Sequence, residues 1–114
     1  MIYVAEKEMS LILMDVRRLA KESSYSVDEF AKHLDVGTRA LQFHCREYYN
    51  KTPRQLLSEL KLVEVLRLAR LGLPEKVIAE SVGYRHASNF SRWFKQETGK
   101  SFRDYRTIRD QFGK

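Results

Sequence analysis

The chain has 114 residues, with 21 Lys plus Arg against 15 Asp plus Glu, a net charge of +6 and a pI near 9.6. That length suits one ordinary domain with little room for a separate catalytic or sensing domain, and the charge favours a polyanionic partner: nucleic acid, an anionic membrane surface or an acidic protein. The single cysteine, Cys45, excludes an internal disulfide and any multi-cysteine metal site, and no apolar run exceeds five residues, short of the ~7 of a signal core and far short of the ~20 of a membrane span, so a cytoplasmic protein is expected.

Sustained apolar/polar alternation of the strand type is missing, and both prolines stand where helices would begin, so the sequence predicts an all-α protein of seven helices. Residues 1–24 form an N-terminal segment and a first amphipathic helix. That helix runs from about Glu8 to Ser23, with Met9, Ile12, Leu13, Val16, Leu19 and Ala20 on its apolar stripe. Ser26 and Glu29 make a capping box, and Tyr25 and Phe30 are spaced for a hydrophobic staple, so a second helix starts there and buries Val27, Phe30, Ala31 and Leu34. A third helix follows Gly37 and runs to about Tyr49, with Leu41, Cys45 and Tyr48 on one side and Asn50 as its stop. Residues 25–52 thus make one helix-turn-helix.

Thr52, Pro53 and Gln55 open a long helix that continues to Leu71, before Gly72. Leu56, Leu57, Leu60, Leu62, Val63, Val65, Leu66, Leu68 and Ala69 cover more than one stripe of it, so residues 53–72 are expected to be a central helix packed on two sides. At ~1.5 Å per residue it would span about 28 Å, comparable with the ~34 Å between major-groove faces one duplex turn apart. Within 73–114, Pro74 starts a fifth helix with Val77, Ile78 and Val82 inward, and a sixth from about His86 buries Phe90, Trp93 and Phe94 up to Gly99. Ser101 and Asp104 cap a seventh, whose Tyr105, Ile108 and Phe112 could pack inward.

The second half repeats the first. Shifting by 48 residues pairs Phe30, Ala31 and Leu34 with Ile78, Ala79 and Val82, and Val36 with Tyr84; shifting by 49 pairs Leu41, Cys45, Arg46 and Asn50 with Phe90, Phe94, Lys95 and Gly99. Two amphipathic helices can share apolar spacing by chance. A small Ala at a close helix crossing, a residue able to turn left-handed (Asp35, Gly83) and an apolar residue just after it are steric demands of a tight helix-turn-helix, and they occur twice.

At Ile78-Ala79, Val82-Gly83-Tyr84, Asn89-Phe90-Ser91-Arg92-Trp93-Phe94-Lys95, Gly99 and Tyr105-Arg106 the chain resembles the DNA-binding domain of the AraC/XylS family of bacterial regulators, over roughly Tyr25 to Arg106. Thr52-Pro53-Arg54, Phe30-Ala31 and Leu34 fit the same pattern. Gly37 and Arg85 stand where that family usually has a hydroxyl cap, Glu75 where an apolar residue is common, Phe102 where the second copy normally has proline, and Val65 where Ala is usual. The resemblance implies two helix-turn-helix subdomains, sequence-specific binding of double-stranded DNA and transcription regulation. It also implies activation ahead of repression and RNA polymerase as a further partner; the span of the central helix would let a monomer bind DNA through two units, the oligomeric state being left open by the sequence.

With Leu41 and Cys45 inward, a step of about 100° per residue turns Arg39, Gln42, Phe43 and Arg46 outward on the third helix. With Phe90 and Phe94 inward, Ser88, Ser91, Arg92 and Lys95 face outward on the sixth, and the resemblance points to the same positions. Arg suits guanine O6 and N7, Gln suits adenine, and Ser serves donor or acceptor, so Arg39, Gln42, Arg46, Ser88, Ser91 and Arg92 are the expected base readers. Phe43 joins them through a thymine methyl or through shape, or else buries its ring against its own fold. Expected phosphate contacts are Lys51, Lys76, Arg85, Lys95, Lys100 and Arg103, several of them near helix starts where free amides favour anions; a solvated surface role is the plain alternative for each.

No catalytic site, metal or cofactor is expected. His44 and Cys45 are neighbours pointing apart on a helix, Cys45 lies on the core stripe, and His33, His44 and His86 lack ligand spacing. The rival reading is a basic helical domain that binds an acidic protein or an anionic surface. Preference for a selected duplex over random duplex separates the two.

Overall fold

The computed structural model describes residues 16–112, with side chains to 108. They form seven helices: α1 (Val16–Glu22), α2 (Val27–His33), α3 (Thr38–Tyr49), α4 (Pro53–Arg70), α5 (Glu75–Ser81), α6 (Ala87–Thr98) and α7 (Phe102–Phe112). No strand occurs among the described residues, so the chain is all-α as its sequence predicts. The expected beginning of the first helix at Glu8, with Met9, Ile12 and Leu13, and the packing of Phe112 lie outside the described residues and side chains. The chain divides into two compact units between Lys61 and Leu62, within α4.

In the first unit α1 packs on α2 and α2 on α3. Val16, Ala20, Phe30, Ala31, Leu41, Cys45, Leu56 and Leu57 form its core, with Tyr25, Val27, Leu34, Val36, Tyr49 and Leu60 packed against it. Ser26 caps α2 by accepting from the Glu29 amide, 3.4 Å away. Thr52 and Gln55 complete both arms of a capping box at α4, the Gln55 amide donating to Thr52 Oγ1 at 3.1 Å and the Thr52 amide to Gln55 Oε1 at 3.0 Å. Between α1 and α2 the sequence hid a sharper turn, for Ser24 and Tyr25 both have left-handed backbones. Amide bonds from Ser24 to Lys21 O (3.0 Å) and from Tyr25 to Ala20 O (2.9 Å) hold that turn.

In the second unit α5 packs on α6 and α6 on α7. Its buried residues are Val65, Leu68, Ala69, Ile78, Ala79, Val82, Phe90, Phe94 and Phe102. Phe90, Phe94, Phe102 and Tyr105 form a continuous ring cluster, which Trp93 and Tyr84 extend. Phe102, at the first position of α7, fills with an aromatic ring what a proline would leave emptier. The unusual apolarity of α4 follows from the division: Leu56 and Leu57 belong to the core of one unit, while Val65, Leu68 and Ala69 are buried in the other.

The duplicated turn is present in both units, bond for bond. Asp35 and Gly83 are each left-handed, with φ of 55° and 96°. The Val36 amide donates to Ala31 O at 3.1 Å and the Tyr84 amide to Ala79 O at 2.9 Å. Asp35 and Gly83 reach Lys32 O and Glu80 O at 3.0 and 3.1 Å. The second helices end alike as well, with Asn50 and Gly99 left-handed.

Val63 of the central helix is exposed, and so are three residues expected inward on the shorter helices: Val77, Ile108 and Tyr48. Each lies at the edge of its helix's apolar stripe, where periodicity fixes the direction of the buried face but not its width. Trp93 is half-buried rather than buried. The central helix closes at Arg70, and Leu71 begins the turn that Gly72 completes with φ 81°.

Candidate nucleic-acid interface

On α3 the buried Leu41 and Cys45 leave Arg39, Gln42, Phe43 and Arg46 exposed. The structure brings these four together with Thr52 and Pro53 around one open concavity of about 320 Å³. The turn at left-handed Asn50 folds the start of α4 back beside the end of α3, and this is why Thr52 and Pro53 join them. Sequence reasoning missed these two as lining residues, although the Asn50 stop and the Thr52 cap, two residues apart, were the available signal. The Phe43 ring is 45% exposed, so it is not buried against its own fold. It meets His44 edge-on at 5.6 Å, and His44 stacks on Tyr48 at 6.3 Å.

On α6 the buried Phe90 and Phe94 leave Ser88, Arg92 and Lys95 exposed. Ser91 is half-buried, and its hydroxyl donates to Glu75 Oε2 on α5 at 2.8 Å. That bond joins residues sixteen positions apart and was not legible in helix periodicity. Gly37 and His86 precede the two outward-facing helices, and neither supplies a side-chain cap.

Of the expected phosphate contacts, Lys76, Arg85, Lys95, Lys100 and Arg103 are exposed. Lys51 is half-buried and pairs with Glu59 at 3.4 Å. A surface pair of that kind is worth only ~0–1 kcal/mol, so a phosphate could displace the carboxylate. Arg106, beside them in the basic C-terminal stretch, has a different occupation. Its guanidinium donates to the Leu73 carbonyl and lies 4.8 Å over the Phe102 ring, tying α7 to the turn before α5.

Burial pushes the Cys45 thiol up to about 11 and the Tyr84 phenol up to about 12, the latter helped by the Glu97 charge. Burial, with Cys45 beside it, also raises Tyr49. Cys45 is therefore a protonated core residue and not a nucleophile. Among the described residues no group of three or more His, Cys, Asp or Glu is placed to hold a metal ion, and no helix is long and apolar enough to cross a membrane.

Two tight turns, each presenting a polar, cation-bearing helix face over a buried core, define a double helix-turn-helix protein. A family model described as a helix-turn-helix domain, of the AraC type, matches residues 30–108 and so covers both units. The chain belongs to the AraC/XylS family of DNA-binding domains and is a DNA-binding transcription regulator of that type. Neither a curated protein nor a solved structure matches it.

Proposed function

We propose that one molecule of this protein binds a specific double-stranded sequence through both units, α3 reading bases with Arg39, Gln42, Phe43 and Arg46, and α6 with Ser88, Ser91 and Arg92. Lys51, Lys76, Arg85, Lys95, Lys100 and Arg103 hold phosphates. The observation that carries this is the repetition: the same bond-for-bond turn precedes each helix, and each helix buries its aromatic or aliphatic stripe while leaving a guanidinium-bearing face in solvent. Arg39 and Arg92 carry the bidentate chemistry that guanine O6 and N7 accept, and the Phe43 ring offers an apolar surface to a thymine methyl.

Contacts of this kind position and specify by different means. Phosphate contacts fix register at a strongly salt-dependent cost, whereas base contacts discriminate among sequences. The duplicated reading unit lets a monomer recognise a site without palindromic symmetry. Regulation in a bacterial cytoplasm, by activation through contact with RNA polymerase, fits this reading.

Competition tests it: the protein should hold a duplex selected from a random pool at least ~10³-fold more tightly than random duplex of the same length. With something like 6–10 phosphates neutralised, log K should fall against log salt with a slope of roughly −5 to −9. Equal affinity for selected and random duplex would instead favour a general binder of acidic surfaces.

A further inference from the structure

We infer that Ser91 is a hydrogen-bond acceptor only, and that it selects a base carrying an exocyclic amino group in the major groove, adenine N6 or cytosine N4. The inference rests on the reading of α6 as a base-reading helix and adds the chemistry of one of its contacts. A serine hydroxyl ordinarily matches any base edge, because it carries one proton and two lone pairs and rotates to suit its partner. Here the rotation is decided. Ser91 gives its proton to Glu75 Oε2 at 2.8 Å, across from α6 to the first residue of α5.

Three features keep the proton there. Both partners are half-buried, which limits the water that could compete for it. A hydrogen bond to a carboxylate is roughly twice as strong as one between neutral groups, so guanine O6 or thymine O4 would be the weaker acceptor. The negative charge of Glu75 behind the hydroxyl also repels those carbonyl oxygens and guanine N7 while attracting amino hydrogens. What Ser91 can offer DNA is lone pairs alone, and in the major groove only adenine and cytosine have N–H groups to give them. An apolar residue at position 75 would leave the hydroxyl free to read either class, so Glu75 converts an indifferent contact into a selective one.

The test is selection of bound duplexes from a random pool with the unaltered protein, Ser91→Ala and Glu75→Ala, followed by binding to duplexes carrying base analogues. Ser91→Ala should flatten preference at one base pair, where the unaltered protein favours one orientation of the pair over its reverse, the amino-bearing base, adenine or cytosine, lying on the strand that faces Ser91. Replacing that adenine by purine, or that cytosine by pyrimidin-2-one, removes only the amino group; it should weaken binding of the unaltered protein about 2- to 12-fold, the range of one neutral hydrogen bond, and leave Ser91→Ala nearly unaffected. The two analogues tell which base supplies the amino group. Glu75→Ala should admit the reversed pair at the same position, which turns thymine O4 or guanine O6 toward Ser91. The idea is overturned if deleting the amino group from the base on either strand of the Ser91-dependent pair leaves binding of the unaltered protein unchanged, if the preference ignores Ser91, or if a folded Glu75→Ala keeps the preference unchanged. The analogue measurement uses unaltered protein and so stands whether or not the variants fold. A pool from which the unaltered protein enriches no site would instead defeat the base-reading proposal itself.

Discussion

Replacing Phe102 by Ala should destabilise the second unit severely, and the structure sets the size of the loss. The ring is 2% exposed and meets Phe94 edge-on at 5.2 Å, Phe90 at 5.7 Å and Tyr105 at 6.2 Å. Truncating a buried Phe to Ala costs about 3–5 kcal/mol through lost transfer energy and the cavity left behind. Edge-to-face partners add ~0.5–1.5 kcal/mol each beyond area, and the Arg106 guanidinium over the ring adds a similar amount, so the upper half of that range applies. A loss of ~4 kcal/mol is a large share of the ~5–15 kcal/mol by which a whole domain is stable. Trp93 is the only tryptophan and lies in the same ring cluster, 6.0 Å from Phe90, so its fluorescence reports on this unit. Urea unfolding followed by Trp93 should show the midpoint falling by roughly 1–4 M. Ile108→Ala, at an exposed position on the same helix, should move it little, within ~0.5 kcal/mol. A Phe102→Ala midpoint within ~0.5 M of the unaltered protein would refute the claim that this ring replaces the usual proline as a packing element.

Other expectations concern the DNA face and the core. Arg92→Ala should lose about 1–3 kcal/mol and relax preference at one base pair, whereas Lys100→Ala should weaken all duplexes about equally and reduce the salt slope by ~1; a uniform loss from Arg92→Ala would move that residue to the phosphate class. Phe43→Ala should abolish any difference between thymine and uracil at one position of the selected site, and no such difference in the unaltered protein would remove the methyl contact. Cys45, Tyr49 and Tyr84 hold their protons to higher pH in the folded chain than when unfolded. Their contribution to stability is therefore intact below the unfolded thiol value of 9.0 and is lost as pH rises through the folded values of about 11 and 12, which denaturant titrations across pH 8 to 12 would show. At pH 8 the folded Cys45 thiol should react with an alkylating reagent far more slowly than in denaturant, and equal rates would contradict its burial.

Local chemistry was the readable part of this sequence. Ser26, Thr52 with Gln55, and Ser101 each accept the amide their spacing implied, and Asp35, Asn50, Gly83 and Gly99 take the left-handed conformation that a tight turn requires. Those signals depend on residues three or four apart, or on a single backbone angle. Contacts spanning longer distances were hidden. Ser91 to Glu75 and Arg106 to Leu73 join different elements, and neither charge nor period announces them. Tyr48, Val77 and Ile108 show a related limit, since an apolar residue beside a stripe is buried only if the neighbouring element reaches it.

Chemical footprinting of guanine N7 and phosphates on a selected duplex tests the two-unit account most directly. The account predicts two separate clusters of protected positions at one protein per duplex, with Arg39→Ala clearing base protection from one cluster and Arg92→Ala from the other. A single cluster, or protection that both substitutions weaken evenly throughout, would contradict it.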